Sequence, residues 1–190
     1  MNDLSQLAER LHQLEAREAI RQLKARYAAL ADAKYTADYR RQEPPRLAQL
    51  ARAQADCFTP QAVWYGAEFG GDRVGREALA QWFEQSPWCF AAHYYVGAEI
   101  AVDGHQARAD WRLWQLALCA DNAEAVLLMA RTEETYRYMP PQGWLIDSMR
   151  FCDVQVTALG TGSMPLAPGL DALRARTPFP VRTAHSLIER

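Results

Sequence analysis

Apolar residues in the first part of the chain recur every three or four positions, which is the period of an amphipathic helix. They form two runs with a slip in the spacing between them: Leu4, Leu7, Leu11 and Leu14, and then Ile20, Leu23, Tyr27 and Leu30. Asp3 followed by Gln6 resembles a capping box, which marks a helix start. The pattern predicts one long helix from Asp3 to about Lys34.

Two shorter helices are predicted after this one. The polar segment 35–45 ends in two prolines, and the second proline can open a helix over residues 46–58 at its first turn. Residues 76–86 predict a third helix, which follows a glycine-rich segment and ends before Pro87.

Beyond Pro87 the pattern changes to segments rich in aromatic and branched residues, separated by turn signals. We predict antiparallel strands joined by hairpins over residues 93–102, 107–118, 125–138 and 143–156. Residues 62–69 predict an earlier strand at an edge of the same sheet.

Helices followed by a run of long strands indicate an α+β fold, in which N-terminal helices cover one face of a curved antiparallel sheet. Such a sheet can curl into a cone with one open mouth. At 190 residues the chain is long enough for one substantial core, which we assign to residues 1–159. Residues 160–190 are broken by prolines and glycines and predict an extended tail on the domain or on a neighbouring subunit.

Composition narrows the range of partners. The net charge is −2, and the basic residues are nearly all arginines without a clustered stripe, which argues against a nucleic-acid partner. The charged N-terminus lacks the apolar core of a signal peptide, and no run approaches the roughly 20 apolar residues of a membrane span. These features predict a cytoplasmic protein with neither a nucleic-acid nor a membrane partner.

The four cysteines are widely spread, and none forms a CxxC pair. Cys89 has a histidine close by, His93, but one such pair falls short of a zinc site, so we expect no metal and no redox pair. Buried, inert thiols are the simplest interpretation. A Cys89 nucleophile activated by His93 is an alternative.

Several motifs occur in an order that resembles the SnoaL-like branch of the nuclear-transport-factor-2-like superfamily. They are RYAALADAK at the end of the first helix, CFTPQAVWYG, GREALAQWF, His93 with EIAVDGHQARADW, and TEETYRYMPPQGWLID. Within that branch the sequence resembles scytalone dehydratase, bile-acid 7α-dehydratase and hexachlorocyclohexane dehydrochlorinase. The resemblance implies a cofactor-free lyase with a His-Asp dyad inside the cone, formed here by His93 and Asp32, and with Tyr27 beside it.

The residues implied for this dyad are suited to proton abstraction. Neutral imidazole can remove a proton near pH 7, and a carboxylate on its other nitrogen fixes the tautomer and stabilises the imidazolium. Candidate residues around the substrate are Tyr35, Phe90, Tyr95, Trp111, Gln115 and Arg131. Side chains alternate between the two faces of a strand, and the family resemblance places Trp111 and Gln115 on the inner face, which turns Trp114 outward. Phe90 lies on the same side as His93 only if it belongs to the loop before the strand.

Each assignment has a structural alternative. His93 could be a buried histidine bonded to the backbone, Arg131 could pair with Glu133 or Glu134, and the aromatic residues could be core packing. Asp32 lies well to the side of the helical core stripe, so its carboxylate reaches the cone only if the helix ends or turns near Ala31.

The sequence therefore predicts a lyase of the dehydratase type that binds a small-to-medium cyclic or aromatic molecule. An isomerase or cyclase, a non-catalytic ligand-binding module, and an accessory subunit like the small subunit of ring-hydroxylating dioxygenases are alternatives. No acid or histidine occupies residues 115–117, where the dehydratases carry a third group. We also expect a homo-oligomer, a trimer by family resemblance with a dimer as the alternative.

Overall fold

Three helices and six strands make up the described part of the chain. The computed structural model describes residues 3–66, 70–121 and 124–159, so the predicted tail over 160–190 lies outside the described residues. The elements in chain order are α1 (Asp3–Asp32), α2 (Pro44–Ala55), β1 (Phe58–Tyr65), β2 (Arg73–Val74), α3 (Arg76–Glu84), β3 (Trp88–Asp103), β4 (Gln106–Cys119), β5 (Ala125–Met139) and β6 (Gly143–Ala158). The α+β class and the presence and order of the three helices are as predicted, but α2 begins at Pro44 and ends at Ala55, whereas the prediction extended this helix to Phe58, which is the first residue of β1.

The strands form one curved sheet in the order β2-β1-β6-β5-β4-β3. The hairpins β3–β4, β4–β5 and β5–β6 are antiparallel, as their short turns require. β1 runs parallel to β6, so the sheet is mixed where the sequence predicted antiparallel pairing throughout. No short turn connects β1, which ends at Tyr65, with β6, which begins at Gly143. Local turn residues therefore could not indicate whether the two strands run parallel or antiparallel.

β1 lies inside the sheet and begins earlier than predicted. Phe58 is fully buried and pairs with Ile146 of β6, whereas the prediction began the strand at Ala62 and placed it at an edge. Pro60 falls within a register irregularity between Phe58 and Val63, where a missing N–H is tolerated. The two-residue strand β2 covers the outer edge of β1.

The second half of α1 packs across the sheet, mainly against β3. The apolar side of this half is buried, and it follows the predicted helical stripe: Ala16, Ile20, Leu23, Tyr27 and Ala31. α1 ends at Asp32, two residues before the predicted end at Lys34. Asp32 is therefore the last residue of the helix.

Irregular pairing bends the long strands around the helices. β3 has a register shift between Val96 and Glu99, with Gly97 at φ 64°, a conformation that strongly favours glycine. β5 and β6 shift register between Met129 and Arg131 and again between Thr135 and Tyr136. The bent sheet leaves a space between its concave face and the helices.

A buried ion pair joins α1 to the sheet. Lys24 and Glu134 of β5 are in direct contact, and their side chains are 1% and 0% exposed. Glu134 also accepts hydrogen bonds from Thr132 (Oγ1 to Oε1, 2.6 Å) and from the Tyr136 hydroxyl. Burial lowers the pKa of Lys24, and the Glu134 carboxylate opposes that effect. Each charge therefore depends on the other for its stabilisation in an apolar interior.

No helix in the described ranges is both long enough and apolar enough to cross a membrane.

We predict that Lys24→Met lowers the free energy of unfolding by about 3–5 kcal/mol, because Glu134 is then left as an uncompensated buried charge. The double variant Lys24→Met/Glu134→Gln should recover much of this loss, because it removes both charges. Urea unfolding monitored by tryptophan fluorescence measures both values.

The exposed ion pair between Arg52 and Glu77 provides the control for this experiment. Arg52→Met should change the stability far less than Lys24→Met, because both partners remain solvated. Equal losses for the two single variants would contradict the assigned role of the buried pair.

Candidate active site

The C-terminal end of α1 brings Asp32 to the first half of β3. Asp32 Oδ1 lies 2.7 Å from His93 Nδ1 and also accepts the backbone N–H of His93 at 3.0 Å. The imidazole is largely buried, with 16% of the side chain exposed, whereas the Asp32 side chain is 38% exposed. The two residues predicted as a dyad are thus in direct contact, without an intervening water.

The double contact fixes the orientation of the imidazole ring. A carboxylate only accepts hydrogen bonds, so in the neutral ring the proton lies on Nδ1 and the lone pair lies on Nε2. The described ranges provide no hydrogen-bond partner for Nε2. That nitrogen is available to accept a proton.

His93 borders a cavity of about 430 Å³ between the concave face of the sheet and the helices. This volume lies within the range of pockets for drug-sized molecules, roughly 300–1,000 Å³. The lining is mostly aromatic and apolar: Tyr27, Ala31, Tyr35, Trp64, Trp82, Phe83, Pro87, Trp88, Tyr95, Leu128, Phe151 and Val156, with Lys34, Gln54, Ser86, His93 and Gln115 as further polar members.

Three tyrosines that the sequence proposed lie around this cavity. Tyr27 and Tyr95 meet edge to face, with ring centroids 6.1 Å apart. Tyr35 holds its hydroxyl 2.7 Å from Ser86 Oγ. Burial raises the pKa of Tyr27 and Tyr95, and the nearby Glu134 charge adds to the effect, so both hydroxyls stay protonated at neutral pH.

Lys34 adds a positive charge to the cavity. Its side chain is buried, and Nζ donates a hydrogen bond to the Phe83 carbonyl at 3.1 Å, in the last turn of α3. Burial and the Arg41 charge lower the pKa of Lys34 to about 8, while Asp32 acts in the opposite direction. The amine is therefore mainly cationic at neutral pH and loses its charge at mildly alkaline pH.

Two glutamines complete the polar part of the lining. Gln115 pairs with His93 across the β3–β4 ladder, so both side chains lie on the concave face. Gln54 of α2 is 2% exposed, and the described chain supplies no hydrogen-bond partner for its Oε1. An unpaired buried acceptor is costly, so this oxygen is suited to a donor group on a bound molecule.

Three other residues that the sequence proposed for substrate binding are not among the described lining residues. Phe90 lies within β3 and packs against Tyr35 and Tyr39, with ring centroids 5.9 and 4.8 Å apart. Trp111 points inward as predicted, but it is buried in the core and its indole N–H donates to the Tyr136 hydroxyl at 3.0 Å. Trp114, which was predicted to point outward from the cone, is 48% exposed, in agreement with the predicted alternation.

Arg131 is the third of these residues and lies in a network of surface carboxylates. Its guanidinium contacts Asp110 at 2.6 Å, Glu133 at 2.7 Å and Asp153 at 3.3 Å. The pairing with Glu133 is the structural alternative that the sequence had offered. Arg131 is therefore held away from the cavity lining.

The remaining histidine and cysteine candidates do not join the dyad. The Cys89 thiol contacts the carbonyls of Leu118 and Cys119 at 3.6 Å, and His93 Nδ1 is occupied by Asp32. His105 is exposed and stacks on Tyr138. Within the described ranges, no three His, Cys, Asp or Glu side chains come together as a metal-binding group.

Sequence reasoning missed Lys24, Lys34 and Gln54. The signal for the two lysines was present, because Lys24 and Lys34 are the only lysines among the 21 basic residues, and both are buried. Because arginine supplies nearly all the basic residues of this chain, a lysine at a given position is unusual and indicates that the position requires an amine. For Gln54 the sequence carries no comparable signal, since it lies in an ordinary helical pattern.

Several solved structures share this fold. An NTF2-like protein from Novosphingobium aromaticivorans is 24% identical and has a TM-score of 0.61, with 86% of this chain and 94% of that chain covered. A hexachlorocyclohexane dehydrochlorinase from Novosphingobium barchaimii LL02 is 16% identical with a TM-score of 0.66, and the coverage is 84% of this chain and 99% of that chain.

A candidate scytalone dehydratase from Novosphingobium aromaticivorans DSM 12444 is 12% identical with a TM-score of 0.61, and the coverage is 80% of this chain and 91% of that chain. At these identities the likeness concerns the fold alone.

No curated protein matches the chain in sequence. The family model for the SnoaL-like domain matches residues 48–150, more than half of the chain and most of the sheet around the cavity. The chain therefore belongs to the SnoaL-like domain family.

Proposed function

We propose that the protein is an enzyme that removes a proton from a small, largely apolar substrate, with His93 as the base and Asp32 as its orienting partner. The observation that carries this proposal is the 2.7 Å contact between Asp32 Oδ1 and His93 Nδ1 at the wall of an aromatic cavity. An apolar, water-poor surrounding strengthens such a charge pair.

The proposed step needs only the side chains of the dyad. The substrate C–H bond breaks, its proton goes to Nε2, and its electron pair forms a new double bond. In a lyase reaction a leaving group then departs with its own bonding pair, and in an isomerisation the proton returns to another carbon. Asp32 stabilises the imidazolium that forms. A lyase of the dehydratase type is the first choice, consistent with the dehydrochlorinase and the candidate scytalone dehydratase of the same fold.

Lys34 is proposed to stabilise negative charge that develops on the substrate or on the leaving group. Its ammonium lies in the same cavity as His93, and low dielectric surroundings make one positive charge effective there. The hydroxyls of Tyr27 and Tyr35 remain protonated and can donate hydrogen bonds to an oxygen on the substrate.

The cavity suggests the class of substrate. Its volume of about 430 Å³ and its indole, phenol and phenyl walls favour a small-to-medium cyclic or aromatic molecule. The Gln54 oxygen, which no donor in the described part of the chain contacts, favours a substrate that carries a hydroxyl or another donor group.

A ligand-binding module without catalysis is the second candidate. Gln115 is the observation that favours it, because it lies beside His93 where the resembled dehydratases carry a third acid or histidine. If the protein only binds its ligand, neither the wild-type protein nor His93→Ala should form product above the uncatalysed rate.

We predict that the protein accelerates ring opening of 5-nitrobenzisoxazole, a probe whose single C–H deprotonation releases a coloured phenolate. His93→Ala should lower kcat/KM by about 10²–10⁴, the usual contribution of a positioned base. Asp32→Asn should lower it by at least roughly tenfold, because an amide cannot stabilise the imidazolium. Absorbance of the released phenolate measures the rate.

His105→Ala is the matched control, because His105 is exposed and packs on Tyr138 away from the cavity. That variant should keep the wild-type rate. Activity that survives His93→Ala undiminished, while far-UV circular dichroism shows the native fold, would end the proton-abstraction model.

A second prediction concerns pH. The Lys34 cation predominates below its pKa of about 8, so its contribution should be present below that pH and fade above it. The ratio of the wild-type rate to the Lys34→Met rate should therefore be largest near neutral pH and fall as the pH rises through about 8. Rates with the same probe across this range measure the ratio.

Lys34→Arg keeps its charge above pH 8 and provides the comparison. It should lose less activity with rising pH than the wild-type protein does. A ratio of wild-type to Lys34→Met rates that does not change with pH would refute the electrostatic role of Lys34.

A further inference from the structure

The first turns of α1 carry a leucine seam, defined as Leu4, Leu7, Leu11 and Leu14. These side chains are 76%, 60%, 54% and 59% exposed, so the described part of the chain leaves them largely uncovered. Their spacing of three, four and three residues is the a and d pattern of two coiled-coil heptads. Four exposed leucines in one line are unlike the scattered apolar residues of an ordinary surface.

The seam faces away from the body of its own subunit. At about 100° per residue, the mean direction of the seam lies roughly 180° around the helix from that of the buried stripe that packs on the sheet. Residues 3–15 are exposed almost throughout, and burial begins at Ala16. The docked half of α1 supplies the helical nucleus, so the exposed half extends an existing helix.

Charges beside the seam are arranged for pairing with an identical helix. When the leucines are assigned to a and d, Arg10 is a g residue and Glu15 is the following e residue. In a parallel pair of such helices, Arg10 of one copy meets Glu15 of the other, and the reverse contact forms as well. Neither residue has an ion pair within the described part of its own chain, whereas Glu9 and Gln13, on the outer side, bond to each other.

We infer that the leucine seam binds a second copy of this chain through parallel α1 helices, with Arg10 and Glu15 pairing between the copies. An antiparallel arrangement would oppose the two Arg10 side chains at its centre. It would also leave Asp3 to pair with Arg17, whose Nε is buried in its own subunit. A lipid surface is disfavoured because acids and bases alternate along this segment instead of forming a basic face.

Light scattering coupled to size exclusion of the full-length protein tests the seam. The wild-type protein should elute as an oligomer, and Leu7→Glu/Leu11→Glu should elute as a smaller species with unchanged helicity. Gln6→Glu/Gln13→Glu adds the same two negative charges to the same turns but off the seam, and it should keep the wild-type mass. A monomeric wild-type protein, or an oligomer that survives the leucine substitutions, would overturn the inference.

Charge reversal tests the partner and its direction. Arg10→Glu and Glu15→Arg should each weaken self-association by about tenfold, because each replaces attraction across the seam with repulsion. Mixing the two variants should restore association, since every cross-seam pair is then opposite in charge. Glu9→Arg, on the outer side of the helix, should have little effect. Failure of the two variants to complement each other would overturn the parallel arrangement.

Discussion

The buried contact between Lys24 and Glu134 fixes the position of α1 on the sheet, and the groups of the candidate site depend on that position. Both charges are removed from water, and the Lys24 ammonium also lies 3.6 Å from the centre of the Tyr95 ring. A slip of α1 by one residue would separate these partners and leave two buried charges uncompensated. Asp32 lies eight residues further along the same rigid helix, about 12 Å away, so its distance from His93 is set by the same register.

The two residues of the pair lie on different elements, one on a rigid helix and the other on a bent strand. α1 positions one carboxylate, that of Asp32, at its last residue. β3 presents His93 from its concave face, next to Gln115 on the neighbouring strand. A site built from regular elements holds its side chains more tightly than a site built from loops, and the double hydrogen bond to Asp32 Oδ1 adds to that order.

The structural features that the sequence predicted correctly are those that depend on local periodicity. The start of α1, the three hairpins and the inward direction of Trp111 and Gln115 follow from spacing and turn residues, and the structure confirms them. The parallel pairing of β1 with β6 depends on contacts between distant parts of the chain, which no local pattern encodes. Asp32 was ambiguous for a related reason. Its direction depends on whether the helix ends two residues earlier or later, and periodicity is weakest at helix ends.

Polar groups inside the cavity were the hardest to foresee. Lys34 and Gln54 lie in segments that look like ordinary surface, and only the folded chain places them among aromatic walls. Burial lowers the pKa of Lys34, and the buried Gln54 oxygen has no hydrogen-bond partner among the residues that the structure describes. The cavity thus brings the His93 imidazole, the Lys34 amine and the Gln54 amide to a lining that is mostly aromatic and apolar.

That His93 can act as the base of this cavity is tested most directly by ¹H–¹⁵N NMR of its imidazole, assigned with the His93→Ala variant. In the neutral ring, the geometry predicts a proton on Nδ1, bonded to Asp32, and an unprotonated Nε2, with this preference lost in Asp32→Asn. A wild-type ring that carries its proton on Nε2 would contradict the account, because that nitrogen could not then accept a proton from a substrate.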